Sequence, residues 1–372
     1  MKKRSSSRQN PKPVAKAKRA QQPVTMGMDL GDKKSRYCVR SEEGEILREG
    51  QVATTKAGMT ETFGALGRAR IAIEVGTHSP WVSRLLRSFG HAVIVANPRQ
   101  VKLITESSRK DDRLDAQTLA RLARIDPQLL RPIQHRSEKA QMALMTIRVR
   151  AALMSARTSL VNAARGLAKA LGERLPNCDA DQMGVPQGES LPPNVQGVLE
   201  PLLKEVESLT EKIQDSDRKI EQIAREDYPE TTLLQQVGGV GTLIALTFVL
   251  TVENKDRFQK SRDIGCDLGF RPRRSDSGQR QPQLRITKEG EPYLRTMLVQ
   301  GAQYIISRRG PDSDLKRWGL RLAERGGKRG KKKAVVAVAR KLGILLHRLW
   351  VTGEVYEPLR NQNLRKGRKK AA

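Results

Sequence analysis

Asp29, Glu74, Asp112 and Asp115 are acids in places where acids are structurally awkward. Asp29 and Glu74 end short apolar runs. Asp112 and Asp115 fall three apart, on one face of an expected helix. Carboxylates that converge from rigid elements can hold divalent cations, and paired cations suit phosphodiester chemistry, where attacking and leaving oxygens must be neutralised. The chain around them is a polycation, with 70 Lys and Arg against 40 Asp and Glu, a formal charge of +30 and a pI near 10.5. That bias implies a polyanionic partner, nucleic acid rather than membrane. A second group with chemical potential is Pro272-Arg273-Arg274-Ser275-Asp276-Ser277-Gly278-Gln279-Arg280. A serine hydroxyl there could attack a phosphate, with the guanidinium groups stabilising charge in the transition state. Ser-Asp-Ser-Gly is also an ordinary turn, and its chemistry alone does not choose between the two serines.

The acids have plainer readings too. Asp112 suits a helix N-cap, Asp115 a first turn, and Asp29 a turn before Gly31. Three observations favour a metal site for the set. Gly27 and Ala72 stand two residues before Asp29 and Glu74 on the same strand face, leaving room for an ion or a close helix. Asp112, Asp115, Leu119 and Leu122 are spaced 3, 4 and 3, so the acids continue the apolar stripe rather than the solvent face. Acids on such a face need partners, and cations are the natural ones. The chain has four histidines, none paired at ligand spacing, so the ligands would be oxygens and the metal magnesium or manganese. The cysteines (Cys38, Cys178, Cys266) show no C-x-x-C spacing, which argues against disulfides and structural zinc and fits a reducing cytoplasm. No apolar run approaches 18 residues, so a membrane span is not expected. Aromatics are 3% of residues, so platforms for stacking bases are scarce and most contacts should be Lys and Arg to phosphate.

The elements that must position these groups follow from periodicity. Residues 1–23 carry eight Lys or Arg and no acid, and read as a disordered basic arm. Strands are expected at Val24–Leu30, Tyr37–Arg40, Ile46–Ala53, Arg70–Val75 and Ala92–Ala96, with helices at Lys56–Leu66, Pro80–Phe89 and Asp112–Arg124. This order implies a mixed sheet with helices packed on it, over residues 24–132. Residues 133–230 read as two heptad helices around a loop at 176–194. Val149, Leu153, Ala156, Leu160, Ala163, Leu167 and Ala170 form one stripe, and Val206, Leu209, Ile213, Ser216, Ile220 and Ile223 the other. An antiparallel coiled-coil hairpin, or an oligomerisation arm, fits both. The third segment, 231–355, is expected to be mainly helical, with helices near Thr242–Thr251 and Glu291–Ser307 and a glycine turn at Gly238-Gly239-Val240-Gly241. That turn is similar to a helix-hairpin-helix element, whose backbone N–H groups approach DNA phosphate, or is a plain interhelical turn. Residues 328–333 are a basic run, and 356–372 read as a basic tail.

Gly27-Met28-Asp29-Leu30-Gly31, Ala72-Ile73-Glu74-Val75-Gly76, Asn97-Pro98 and Lys110-Asp111-Asp112-Arg113-Leu114-Asp115-Ala116 resemble the N-terminal domain of the DEDD insertion-sequence transposases of the insertion-sequence-110 type. Gly269-Phe270-Arg271-Pro272, Ser277-Gly278, Ile286-Thr287-Lys288-Glu289-Gly290 and Leu294-Arg295 resemble the C-terminal transposase domain of the same family. The resemblance spans roughly residues 24–350. It implies a RuvC-like, ribonuclease-H-like first domain with the acids at Asp29, Glu74, Asp112 and Asp115. Asp111 competes for the third place, and the helix-face argument prefers Asp112. The resemblance also implies that the serine before the glycine, Ser277, forms a covalent link to DNA, with Ser275 as runner-up. The implied function is RNA-guided recombination that excises and inserts a mobile element. Its partners would be donor and target DNA, a guide RNA and further copies of the chain, two or four, in the bacterial cytoplasm at the nucleoid. The acids and the serine lie in different domains, so an active site that joins them would be composite, with one chain's acids serving another's serine. Two rivals stand beside this reading: a metal-dependent junction nuclease in which the acids do all the chemistry, and a nucleic-acid-binding scaffold.

Overall fold

Five short strands are built from apolar residues alternating with small or polar ones, the period of a sheet with helices on its faces. The computed structural model describes residues 24–97, 112–282 and 284–361. The basic arm, Pro98, Asp111 and the tail beyond Asn361 lie outside the described residues. The chain divides into two compact units, one ending at His135 and the other beginning at Arg136.

The first unit contains β1 (Val24–Asp29), β2 (Lys34–Arg40), β3 (Ile46–Ala53), α1 (Lys56–Phe63), β4 (Ala69–Glu74), α2 (Ser79–Ser88), β5 (Ala92–Ala96) and α3 (Asp112–Ile125). Each expected element is present, with ends shifted by a few residues. The strands form one mixed sheet in the order β3-β2-β1-β4-β5. β1 is antiparallel to β2 and parallel to β4, and β4 is parallel to β5.

The two faces of this sheet are chemically different. Met26, Met28, Tyr37, Ile71 and Ile73 point to one face and form a core with Met59, Phe63, Val82 and Leu86. On the other face, the register aligns Glu49, Cys38, Gly27, Ala72 and Ile94 in a single row across all five strands. The middle three are small, and α3 lies on them through Ala116, Leu119, Ala120 and Ala123. Small residues on both partners let the helix approach the sheet closely. A Cβ at Gly27 would stand 2.1 Å from the Ala116 carbonyl oxygen and 2.3 Å from the Ala120 nitrogen.

The second unit opens with two long helices, α4 (Glu138–Ala170) and α5 (Pro193–Glu226). Contacts Lys139–Asp227, Arg150–Asp217 and Arg157–Thr210 pair rising numbers with falling ones, so the helices run antiparallel. The stripe expected on α5 faces inward: Val206, Leu209, Ile213 and Ile220 are buried. The stripe expected on α4 does not. The residues buried along α4 are Ala140, Ala143, Leu144, Ile147, Arg157, Val161, Ala164 and Ala168. The expected stripe lies on another face, with Val149 51% and Leu167 52% exposed. The helix carries two apolar stripes, and the pair packs through the one that the sequence pattern did not single out. Arg157 is buried there, with its Nη1 donating to the Thr210 hydroxyl at 3.1 Å.

The base of this hairpin packs on α6 (Thr242–Val252), through Leu144, Ile147 and Ile220 against Leu246 and Leu250. α6 is apolar on nearly every side and is buried accordingly. It joins α7 (Pro292–Ile306) and α9 (Gly330–Thr352) in the largest core, which holds Phe248, Leu298, Leu342 and Trp350. α8 (Asp314–Arg325) packs on α9 and is strongly amphipathic. The basic run at 328–333 leads into α9: Lys331, Lys332 and Lys333 occupy its first turn and are exposed. Loop 176–194 includes a one-turn helix, Val185–Gly188, and passes into α5 at Pro193.

Candidate active site

Met28 pairs with Ile73 in the parallel β1–β4 ladder, so Asp29 and Glu74, one step further, stand side by side at the carboxyl ends of two adjacent strands. Both lie on the face that carries Gly27 and Ala72, because side chains two apart share a face. α3 rests on that face with Ala116 and Ala120 over Gly27, and its first turn, with Asp112 and Asp115, points toward the same end. The fold therefore gathers all four acids. Asp112 is exposed, while Asp29, Glu74 and Asp115 are half-buried.

The electrostatics agree. Burial, then the negative charges of Asp112, Asp115 and Glu74, push the Asp29 carboxyl up to about 6. The main relief is the backbone N–H of Leu30. Burial and then Asp115 raise Glu74. Arg36, opposite Asp29 in the β1–β2 register, turns instead to the side-chain amide of Gln51, 2.8 Å away. Among the described residues, no three carboxylate, histidine or cysteine side chains are close enough to share one ion. The donors are hard oxygens, and the negative charges of its neighbours help hold Asp29 above its ordinary proton affinity, which fits a divalent cation in kind and in charge.

The other sequence candidate is in the second unit. Residues 269–273 and 285–288 pair antiparallel as the base of an arm, with Pro272 bridged to Ile286 and Arg273 N donating to Arg285 O at 2.9 Å. Ser277 and Arg280 close its tip through two backbone hydrogen bonds of 3.2 and 3.0 Å. Gly278, the first of the two residues between them, has φ of +56°, a position that favours glycine. Ser277, Ser275 and the surrounding arginines are exposed, and the Ser277 hydroxyl has no hydrogen bond to a described residue. Geometry ranks Ser277 above Ser275 only in placing it at the closed turn.

Residues 26–171 match a DEDD-type transposase family model, and residues 231–316 match a model described as transposase, IS116/IS110/IS902 family. Between them they span more than half of the chain. The chain belongs to this transposase family. It is 28% identical to the transposase for insertion sequence element IS1111A of Coxiella burnetii, over 89% of this chain and 90% of that one. It is 25% identical to the transposase for IS1328 of Yersinia enterocolitica, over 76% and 84% respectively. Among solved structures, Thermus thermophilus RuvC aligns with 27% of this chain and 96% of its own at 18% identity, with a TM-score of 0.22. No described helix of the transposase is long and apolar enough to cross a membrane.

One further residue of the transposase is not marked by the sequence. Glu49, at the end of the small-residue row, accepts from Arg113 Nε at 2.9 Å and Gln117 Nε2 at 2.6 Å. The hydrogen bond from Gln117 and the Arg113 guanidinium hold its carboxyl below the usual range. Glu49 thus fixes the first turns of α3, which carry Asp112 and Asp115. Nothing in the sequence marks it, since its partners are more than sixty residues away. Glu49→Ala is expected to cost under about 1 kcal/mol in stability, the scale of a surface ion pair. It should lower strand-transfer activity about tenfold or more, because catalytic groups tolerate little displacement. Unchanged activity at unchanged stability would remove Glu49 from the site.

The glycine turn, expected either as a phosphate-binding turn or as a plain interhelical one, is packed within the unit. Gly238 lies against Pro311, and Gly239, with φ of +89°, against Tyr304 and Gly301. Their missing side chains serve packing inside the unit. Only Gly241, which begins α6, has open space at its Cβ position. The plain-turn reading accounts for the first two glycines, leaving the start of α6 as the part free to meet a phosphate.

Proposed function

We propose that this transposase moves a DNA element through a serine–DNA intermediate, with Asp29, Glu74, Asp112 and Asp115 as its magnesium or manganese ligands. The observation that carries the reading is the convergence of four acids, with Asp29 pushed up to about 6, at one end of a sheet in a strongly basic chain. Bound there, divalent ions would neutralise charge on the attacking and leaving oxygens. The protein's own part is to supply the nucleophile and hold the strand. Ser277 Oγ attacks phosphorus and loses its proton. The bond from phosphorus to the leaving deoxyribose oxygen breaks, and that oxygen takes up a proton. The phosphodiester is kept as a serine ester, which a hydroxyl of the second strand reverses. Arg273, Arg274 and Arg280 flank the serine in sequence and are exposed, free to hold the phosphate.

The family resemblance supports a guide RNA that pairs with donor and target DNA. The outward apolar stripe of α4, with Met142 58% and Met145 48% exposed beside Val149, supports association of chains into a dimer or tetramer. We assign the acids and the serine to one reaction, supplied by different copies. Mixing Asp29→Ala and Ser277→Ala proteins should then restore activity that each lacks, and failure under every assembly condition would remove trans sharing.

One observation favours a second reading, a metal-dependent nuclease. The acids are coupled to one another, whereas the Ser277 hydroxyl has no described partner that could take its proton. An adduct assay separates the two. Wild-type protein with guide RNA, labelled DNA and magnesium should give a denaturation-resistant protein–DNA product, absent in Ser277→Ala. Cleavage that survives Ser277→Ala establishes the nuclease, and no cleavage by the wild type leaves a scaffold.

A further inference from the structure

The second unit contains a cleft of about 930 Å³ between α8, α9 and the segment that follows α9. That volume is at the upper end of the range for ligand sites. Its floor is apolar: Leu315, Trp318, Ile344 and Leu345. One wall is the chain after α9, held by the Pro358 carbonyl accepting from Asp314 N at 2.7 Å and by Tyr356 N donating to Gln236 at 2.9 Å.

Six cations and three acids line the cleft. Half of the cations are matched. Arg348 and Arg360 share Glu354, and Arg317 pairs with Asp312 just outside the cleft. Asp314 is taken by the backbone N–H of Asn361, and Glu357 is exposed. Arg262, Arg321 and Lys341 form no ion pair with any described acid. Lys341 Nζ stands 3.8 Å from the centre of the Trp318 ring. Its proton affinity is lowered, by burial first and then by Arg321. Lys341 thus stands over the aromatic ring, with Arg321 close enough to repel it and no ion-paired acid on either.

We propose that this cleft seats unpaired nucleotides of a single nucleic-acid strand, with phosphates on Arg262, Arg321 and Lys341 and a base against Trp318. A concave apolar floor with an aromatic ring suits a base that is free of its partner, and free cations at the rim suit its backbone. A duplex keeps its base faces stacked inside, so it would meet the rim alone. The chain is poor in aromatics, and this is where one of its three tryptophans is set among unmatched cations. The inference is independent of the roles given to Ser277 and the acids.

The test uses full-length protein and ten-nucleotide oligo(dT) or oligo(U) carrying one 5-iodinated pyrimidine. After irradiation, cross-links are expected on the peptides containing Trp318 or Tyr356, in Ser277→Ala and Asp29→Asn backgrounds as well. Arg321→Gln with Lys341→Gln, both at the surface, should lower the slope of log affinity against log salt by about 1.4 for the single strand. Trp318→Leu should weaken single-strand binding about tenfold and duplex binding less than twofold. Cross-links confined to other segments overturn the proposal. So do equal losses for duplex and single strand, or displacement of the oligonucleotide by polyglutamate at equal charge. Because Trp318 also borders the core, the surface pair keeps the test valid if Trp318→Leu does not fold.

Discussion

Asp29→Asn is expected to abolish transposition and yet to make the metal-free protein melt at a higher temperature. The native carboxyl is pushed from its ordinary 3.8 to about 6 by burial and by three negative neighbours. Between those values the unfolded chain releases its proton while the folded chain keeps it. Metal-free stability therefore falls as pH rises from about 4 to about 6, then levels off. A two-unit shift corresponds to about 3 kcal/mol at most. The group is partly open to solvent, so screening reduces the expected gain from Asp29→Asn to about 1 kcal/mol at pH 7.5. Millimolar magnesium should reverse the order by stabilising the wild type alone. Thermal melts at pH 4.5 and pH 7.5, with and without magnesium, check all of this. If the asparagine variant melts lower at pH 7.5 without metal, the acids are not repelling one another.

Gly27→Ala is the second large effect, and it touches no charged group. The added methyl would meet backbone atoms of Ala116 and Ala120, which cannot rotate away. Overpacking a tight core costs about 1–3 kcal/mol, and backbone on both sides puts this position at the upper end. If the unit still folds, α3 must lift from the sheet and carry Asp112 and Asp115 with it. A displacement of about 1 Å is enough for roughly a hundredfold loss of rate. Cys38→Ala, in the same row, removes volume instead of adding it and should keep most of the activity. Equal activity and melting for Gly27→Ala and the wild type would show that the acids do not depend on this contact.

The first unit was legible because its code is local. Short apolar runs that end in Asp29 and Glu74, each with a small residue two places earlier, mark strand, face and candidate site together. The face of α3 was only half legible: Asp115 is half-buried as its spacing implies, but Asp112, in the first turn, is exposed. The second unit depends on distant partners. Two apolar stripes run along α4, and only α5 decides between them. It selects the one with Val161, Ala164 and Ala168, which pack against Leu199, Leu203 and Val206 of α5. α8 and α9 were hidden by their charge, since Arg and Lys fill the outer faces of helices whose buried faces are held by Gly319, Val338 and Leu342. Gly238 and Gly239 fit a DNA-binding turn in sequence, and in the fold they lie against Pro311 and Tyr304, far along the chain. Ser277 reads the same in sequence and in structure, an exposed residue at a tight turn, so its role must come from chemistry.

The three rungs of the α4–α5 hairpin also govern how this gene can change in length. From Lys139 to Arg150 to Arg157 the chain advances 11 and then 7 residues, while its partners step back by 10 and 7, from Asp227 to Asp217 to Thr210. One codon inserted between Arg150 and Arg157 would turn everything beyond it by about 100°. Arg157 would swing out, and Val161, Ala164 and Ala168 would follow, while the lower rungs stayed in place. Insertions and deletions should therefore be tolerated better between the helices, at the exposed positions of 171–192 away from buried Leu175, Met183 and Leu191, than along them. Drift in this family should accumulate as variation in hairpin loop length, with the spacing of the rungs left untouched.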